Sequence, residues 1–186
     1  MNAVLIQGPV VEPISRKDLR AHLHLDGSHD ALLGSLIAAA RMTIEAQSGL
    51  RLLEQQWRVH LYEWPEKSKR LPVSPVMEVK SVKWVGGQTY VLPDDAYQTQ
   101  PVGLEAYVRL LQPRPSSWRD KGHHIEIDMV AGFGRSPAQV PKDLCLAVKS
   151  LAAHWYDIDD WHQPPSSRAM PAHVLAIVDQ HRSLRV

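Results

Sequence analysis

Ten histidines in a chain of 186 residues raise the question of metal or acid–base chemistry first. The densest group is His154-Trp155-Tyr156-Asp157-Ile158-Asp159-Asp160-Trp161-His162. On a helix His154 and Asp157 stand at i and i+3 and share a face, and Asp159 and His162 would add the oxygen and nitrogen donors a divalent ion needs. A small metal-dependent hydrolase built on these residues is the catalytic reading. Against it, the segment runs from a helix end into Pro164-Pro165, where a rigid ligand shell is hard to hold. His22 and His24 flank Leu23, and His123-His124 open a strand. Neither pair has the cysteine partners or the downstream spacing of a structural zinc site, so both read as surface histidines. No metal and no other cofactor is expected.

Nucleophilic chemistry finds no support. There is no Gly-x-Ser-x-Gly elbow, and the single cysteine, Cys145, lies among helical apolar residues rather than at an electropositive helix start. Cys145 reads as a small buried hydrophobe. Gly132-Phe133-Gly134 lacks the later glycine and the Lys-Ser/Thr of a phosphate cradle, and reads as the turn from a strand to a helix. No catalytic residue is expected, and the chain is not expected to be an enzyme. Tryptophan is more informative. Trp57 and Trp155 fall on core-facing stripes, whereas Trp64, Trp118 and Trp161 lie at strand ends or in loops, where exposed tryptophan marks interfaces. The competing reading is that a loop tryptophan folds back onto its own domain.

Composition bounds the partners. Lys and Arg number 21 against 20 Asp and Glu, a net charge of +1, which gives no bulk attraction to polyanions or to anionic membranes. Apolar residues make up 44% and charged residues 22%, as in an ordinary soluble globular domain. The apolar opening Met1-Asn2-Ala3-Val4-Leu5-Ile6 has no basic leader and meets Gly8, Pro9 and Pro13, so it does not read as a signal peptide. No run reaches the roughly 18 to 20 apolar residues of a membrane helix. One cysteine fits synthesis in a reducing cytoplasm.

The elements that would position these residues follow from periodicity. Residues 1–14, broken by two prolines and a glycine, read as an extended arm that packs on a neighbour or frays. Ser15 with Asp18 caps a helix over 15–24. Leu33, Leu36, Ile37, Ala40 and Ile44 fall on one face of a helix over 28–48, stopped by Gly49. The period then becomes two: Leu53, Trp57, Val59 and Leu61 point one way, and Glu54, Gln56, Arg58 and His60 the other. Further strands are expected near 76–85, 88–92, 104–111 and 123–131, with a hairpin at Gly86-Gly87. In the last strand Ile125, Ile127 and Met129 alternate with Glu126, Asp128 and Val130. Pro113-Arg114-Pro115-Ser116-Ser117 marks a loop. Helix returns over 138–157, with Pro141 in its first turn and Leu144, Val148, Leu151 and Trp155 on a stripe.

These elements give an α+β chain: an arm over 1–14, a core over 15–161 whose helices carry an inserted antiparallel β module over 52–132, a Pro-rich linker over 162–171, and a terminal helix and tail over 172–186. No internal repeat is present.

Several phrases in this order resemble the phage head-tail connector, or adaptor, family of long-tailed phages, prophages and gene transfer agents. They begin with Glu12-Pro13-Ile14-Ser15, Asp18-Leu19-Arg20-Ala21-His22-Leu23, and Leu36-Ile37-Ala38-Ala39-Ala40-Arg41 leading to Ile44-Glu45 and Ser48-Gly49-Leu50. They continue through Gln55-Gln56-Trp57, Leu71-Pro72, Pro75-Val76 and Val79-Lys80-Ser81-Val82. Ala131-Gly132-Phe133-Gly134 before Val140-Pro141, and Leu151-Ala152-Ala153-His154-Trp155-Tyr156, complete the set. The Trp118 to His124 loop and the Pro-rich tether depart from a minimal member.

The resemblance implies a structural virion protein made in the bacterial cytoplasm and placed in the particle neck. It would form a ring of about twelve identical copies closed by heterologous contacts. The ring would dock under the portal, meet tail-side stopper or terminator proteins, and pass double-stranded DNA through its lumen without sequence-specific binding or membrane contact. A tail terminator or completion ring is the alternative. In this reading the C-terminal segment is a docking tail, with Leu175 and Val178 as apolar surface and Arg182 and Arg185 as charge. Trp64, Trp118 and Trp161 are the other candidate interface residues.

Overall fold

The change of period along the sequence corresponds to a division of the chain. The computed structural model describes residues 1–26, 30–116, 118, 122–158 and 170–182. One compact unit combines Met1–Pro9 with Glu54–Phe133, and the other combines Val10–Leu53 with Gly134–Val186. Helices and antiparallel sheets give the α+β class expected.

The second unit is helical. Its first helix, α1 (Arg16–His22), starts at Ser15, whose Oγ accepts from the Asp18 amide at 3.0 Å while the Asp18 carboxylate accepts from the Ser15 amide at 3.2 Å. This reciprocal cap satisfies two otherwise orphan donors. In α2 (Asp30–Ser48) Leu33, Ile37, Ala40 and Ile44 are buried, and Gly49, at φ +78°, ends the helix by donating to the Glu45 carbonyl at 3.0 Å. The expected helix over 138–157 is split. A 3-10 turn occupies Pro137–Gln139, Val140 is extended, and α3 runs over Lys142–Asp157. Proline disfavours helical geometry in the residue before it, so Pro141 forces the break at Val140.

The terminal helix α4 (Ala172–His181) corrects the docking-tail expectation in part. It packs against α2 and α3, and Val174 and Val178 are buried in that packing. His181 Nε2 also meets Asp143 Oδ2 at 2.5 Å. Val178 is therefore core, not offered surface. Helix α4 itself is packed rather than free, while residues 162–169 of the expected Pro-rich linker lie outside the described residues.

The first unit holds two antiparallel sheets. The larger has the order β1 (Asn2–Gln7), β2 (Gln55–Leu61), β8 (His124–Ala131), β4 (Val76–Val85), β5 (Thr89–Val91). The smaller has the order β3 (Lys69–Arg70), β7 (Glu105–Leu110), β6 (Tyr97–Val102). Alternation aims Val59, Leu61, Val82, Ile125, Ile127 and Met129 into one core with Ala106, Val108 and Leu110 of the smaller sheet. Gly86 donates to the Gln88 carbonyl in the β4–β5 hairpin, as expected.

Three strands differ from the expectation, the short β3 being one that no pattern marked. Residues 2–7 are extended, but they pair with β2 of the same chain, Val4 opposite Arg58, and so form an edge strand rather than a free arm. The polar β6, which carries Pro101, went unexpected. It is tolerated because it lies at the sheet edge, where a missing N–H breaks no ladder on its outer side.

Candidate functional site

The outward face of β2, β8 and β4 gathers charge. Because side chains alternate, Arg58, His60, Glu126, Asp128, Ser81 and Lys83 all leave the core side, and the register sets Arg58 and Ser81 opposite Asp128, with His60 and Lys83 opposite Glu126. Asp128 accepts from Arg58 Nε at 2.6 Å, Lys83 Nζ at 2.5 Å and Ser81 Oγ at 3.2 Å. Burial raises its pKa, yet the hydrogen bonds and charges of Arg58 and Lys83 outweigh this and hold it at about 2.

The neighbouring carboxylate is arranged differently. Glu126 Oε1 faces His60 Nε2 at 3.4 Å and His124 Nε2 at 3.3 Å, while Oε2 lies 3.6 Å from Arg58 Nη1. His124 and Glu126 are two apart on β8 and therefore share its face. The imidazoles of His60 and His124 stand edge to face at 5.3 Å, flanked by Tyr62. His60 Nδ1 is buried and has no partner among the described residues. Sequence reading placed Arg58, His60, Glu126 and Asp128 on the outward side of their strands but not beside one another. The alternation is local, whereas the pairing of β2 with β8 spans some 65 residues of chain and leaves no mark in either strand.

The candidate interface residues divide. Trp118 is 2% exposed and Trp64 9%, their rings in edge-to-face contact at 5.4 Å, with Trp84 and His123 completing an aromatic cluster. This corrects the expectation that they form exposed surface: the loop after Pro113 folds Trp118 back onto its own core. Leu175 is 41% exposed, and Arg182 is exposed at the end of α4, 4.0 Å from Asp179. Trp161 and Arg185 lie outside the described residues, as do Asp159 and His162 of the hydrolase reading. Cys145 is half-buried rather than buried as expected, and its burial raises the thiol pKa.

Apolar surface is left over elsewhere. On β1, whose outer edge pairs with no strand among the described residues, Val4, Leu5 and Ile6 are 40%, 47% and 54% exposed. Tyr90 and Val91 are exposed on β5, the opposite edge strand. Open edges with apolar side chains template association unless covered. No helix among the described residues is long and apolar enough to cross a membrane.

The chain matches no protein-family model and no curated protein. Solved structures do match. A chain in the neck of an empty gene transfer agent particle, computed with C6 symmetry, is 27% identical with a TM-score of 0.83, over 100% of this chain and 97% of that one. A chain of the virion of a native gene transfer agent particle is 27% identical with a TM-score of 0.84, at the same coverage. A chain in the neck of a native particle, computed with C12 symmetry, is 28% identical with a TM-score of 0.76, over 98% of this chain and 97% of that one. From end to end, then, the chain shares its fold with structural chains of gene transfer agent necks and virions.

Proposed function

We propose that the chain is a head-tail connector, an adaptor ring seated between the portal and the tail around the DNA channel of a phage-like particle. The observation that carries this reading is the full-length likeness to chains of gene transfer agent necks computed with C6 and C12 symmetry. A ring of about twelve copies fits both symmetries, since a twelvefold axis contains a sixfold one. The uncovered β1 edge supports the same reading, because identical copies meeting head to tail would cover it. The role is structural rather than catalytic.

Position separates the connector from the tail terminator, which would also form a ring. Affinity-tagged chain is expressed with the other particle proteins, and the assemblies that retain it are imaged and analysed for composition. Co-purification with the portal, in a ring below it, is the expected result. Recovery with tail tube alone assigns the chain to the terminator instead, and a chain found only as a free monomer overturns both. Leu5→Lys, which charges the open edge, is expected to leave the monomer folded while abolishing the ring.

A further inference from the structure

We propose that His60, His124 and Glu126 form a binding site for a divalent transition-metal ion of the zinc class. The three donate two imidazole nitrogens and a carboxylate oxygen whose candidate ligand atoms lie within 4.8 Å of one another. Imidazole with carboxylate suits zinc and its neighbours rather than magnesium or calcium, which take all-oxygen shells.

The spacing of the three groups leaves room for an ion between them. A hydrogen bond from a cationic nitrogen to a carboxylate closes to about 2.7–2.9 Å, and two residues along β8 Asp128 does close, to 2.5–2.6 Å from Lys83 and Arg58. Glu126 Oε1 stands farther off, 3.4 Å from His60 Nε2 and 3.3 Å from His124 Nε2, the latter a long hydrogen bond. Donors bound tetrahedrally at about 2.0–2.1 Å are held about 3.3–3.4 Å apart, so these separations match the edges of an ion's coordination shell. Arg58 Nη1 lies 3.6 Å from the other carboxylate oxygen, Oε2, on the side away from the two imidazoles' contact with Oε1.

Exposure permits entry without looseness. The side chains of His60, His124 and Glu126 are 19%, 25% and 17% exposed, which leaves the outer side open for water to complete the shell. Register fixes all three, since His60 lies directly opposite Glu126 and His124 lies opposite Val85 of β4. The buried Nδ1 of His60 has no acceptor in the protein among the described residues, so the hydrogen bond that usually orients and strengthens a ligating imidazole is missing. Binding is accordingly weaker than at a closed structural zinc site, and reversible by chelator.

The test uses full-length protein stripped with chelator and titrated with Zn²⁺ by calorimetry, with Co²⁺ as a spectroscopic stand-in. Saturation at a single ion per chain is expected, with visible cobalt bands of a low-coordinate nitrogen and oxygen shell. His60→Ala and His124→Ala are each expected to weaken binding by more than about 100-fold, since losing only a hydrogen bond to a ligand already costs about 10- to 100-fold. Glu126→Gln, close in shape, is expected to weaken it while keeping the wild-type circular dichroism, which covers the case in which an alanine variant does not fold. His154→Ala is expected to change nothing. Absence of saturable binding overturns the proposal. So does Zn²⁺ affinity unchanged by His60→Ala, His124→Ala and Glu126→Gln, or lost in His154→Ala instead. Ring formation is a separate readout, so failure here leaves the connector reading standing or falling on its own.

Discussion

Arg41 and Glu45 sit on the buried side of α2, at 7% and 5% exposure, where an apolar stripe alone would be simpler. Arg41 bridges Glu12, at 2.8 Å from Nε, and Glu45, at 3.0 Å from Nη1, and Glu45 Oε1 caps the Leu52 amide at 2.9 Å. Burial works against the Arg41 charge, but its hydrogen bond to the Glu12 carboxylate and the charge of Glu45 outweigh this and raise its pKa. Arg41→Ala removes the guanidinium that Glu12 and the buried Glu45 share and leaves Glu45 with Arg51 as its nearby cation, so a loss of about 3 kcal/mol is expected, read from urea denaturation. Asp128 makes a second residue-scale prediction. Its folded pKa of about 2 lies below the ordinary 3.8, so its stabilisation is fully present above the ordinary value and is lost as pH falls from there towards 2. Asp128→Asn is expected to flatten the acid limb of stability in that window, measured as the urea midpoint against pH. The Ser15 cap was legible in the sequence because it is made within four residues. The Arg41 cluster was not, because Glu12 arrives from 29 positions away.

At the scale of elements, what was legible follows the same rule of range. The α2 stripe, the Gly49 stop, the Gly86-Gly87 hairpin and the alternation in β2 and β8 are local patterns, and each formed where expected. β1 and α4 were misjudged because their surroundings, not their own residues, decide their state. Six extended residues become a strand only when β2 offers an edge, and a short helix after a Pro-rich stretch becomes core only when α2 and α3 leave a groove. The two faces of α4 make this measurable. Val178→Ala removes methyl groups from a closed core and should cost on the order of 2 kcal/mol, whereas Leu175→Ala on the exposed face should stay within about 0.5 kcal/mol. Thermal unfolding of the two variants beside wild type checks the contrast, and equal effects would mean that α4 is not packed as a core helix.

For the molecule as a whole, the decisive quantity is charge. The proposed connector role asks for a protein that encircles DNA without gripping it and so does not accumulate free cations, and here Lys and Arg exceed Asp and Glu only by one, 21 against 20. Structure extends the point, because several cations are already committed within the chain: Arg41 to Glu12 and Glu45, Arg58 and Lys83 to Asp128, and Arg70 to Glu105 at 2.9 Å. Each cation so engaged would have to surrender a carboxylate before neutralising a phosphate, and little counterion release is then left to drive binding. Mobility-shift titration of the purified chain with random duplex DNA is therefore expected to give no complex at physiological salt with a dissociation constant below about 10⁻⁴ M, the weak end of ordinary non-specific binding. Any association at low salt should vanish with a shallow dependence on ionic strength. A steep salt slope, reporting many phosphates neutralised together, would mean that the chain binds DNA by charge, and the proposed passage of DNA without gripping would have to be given up.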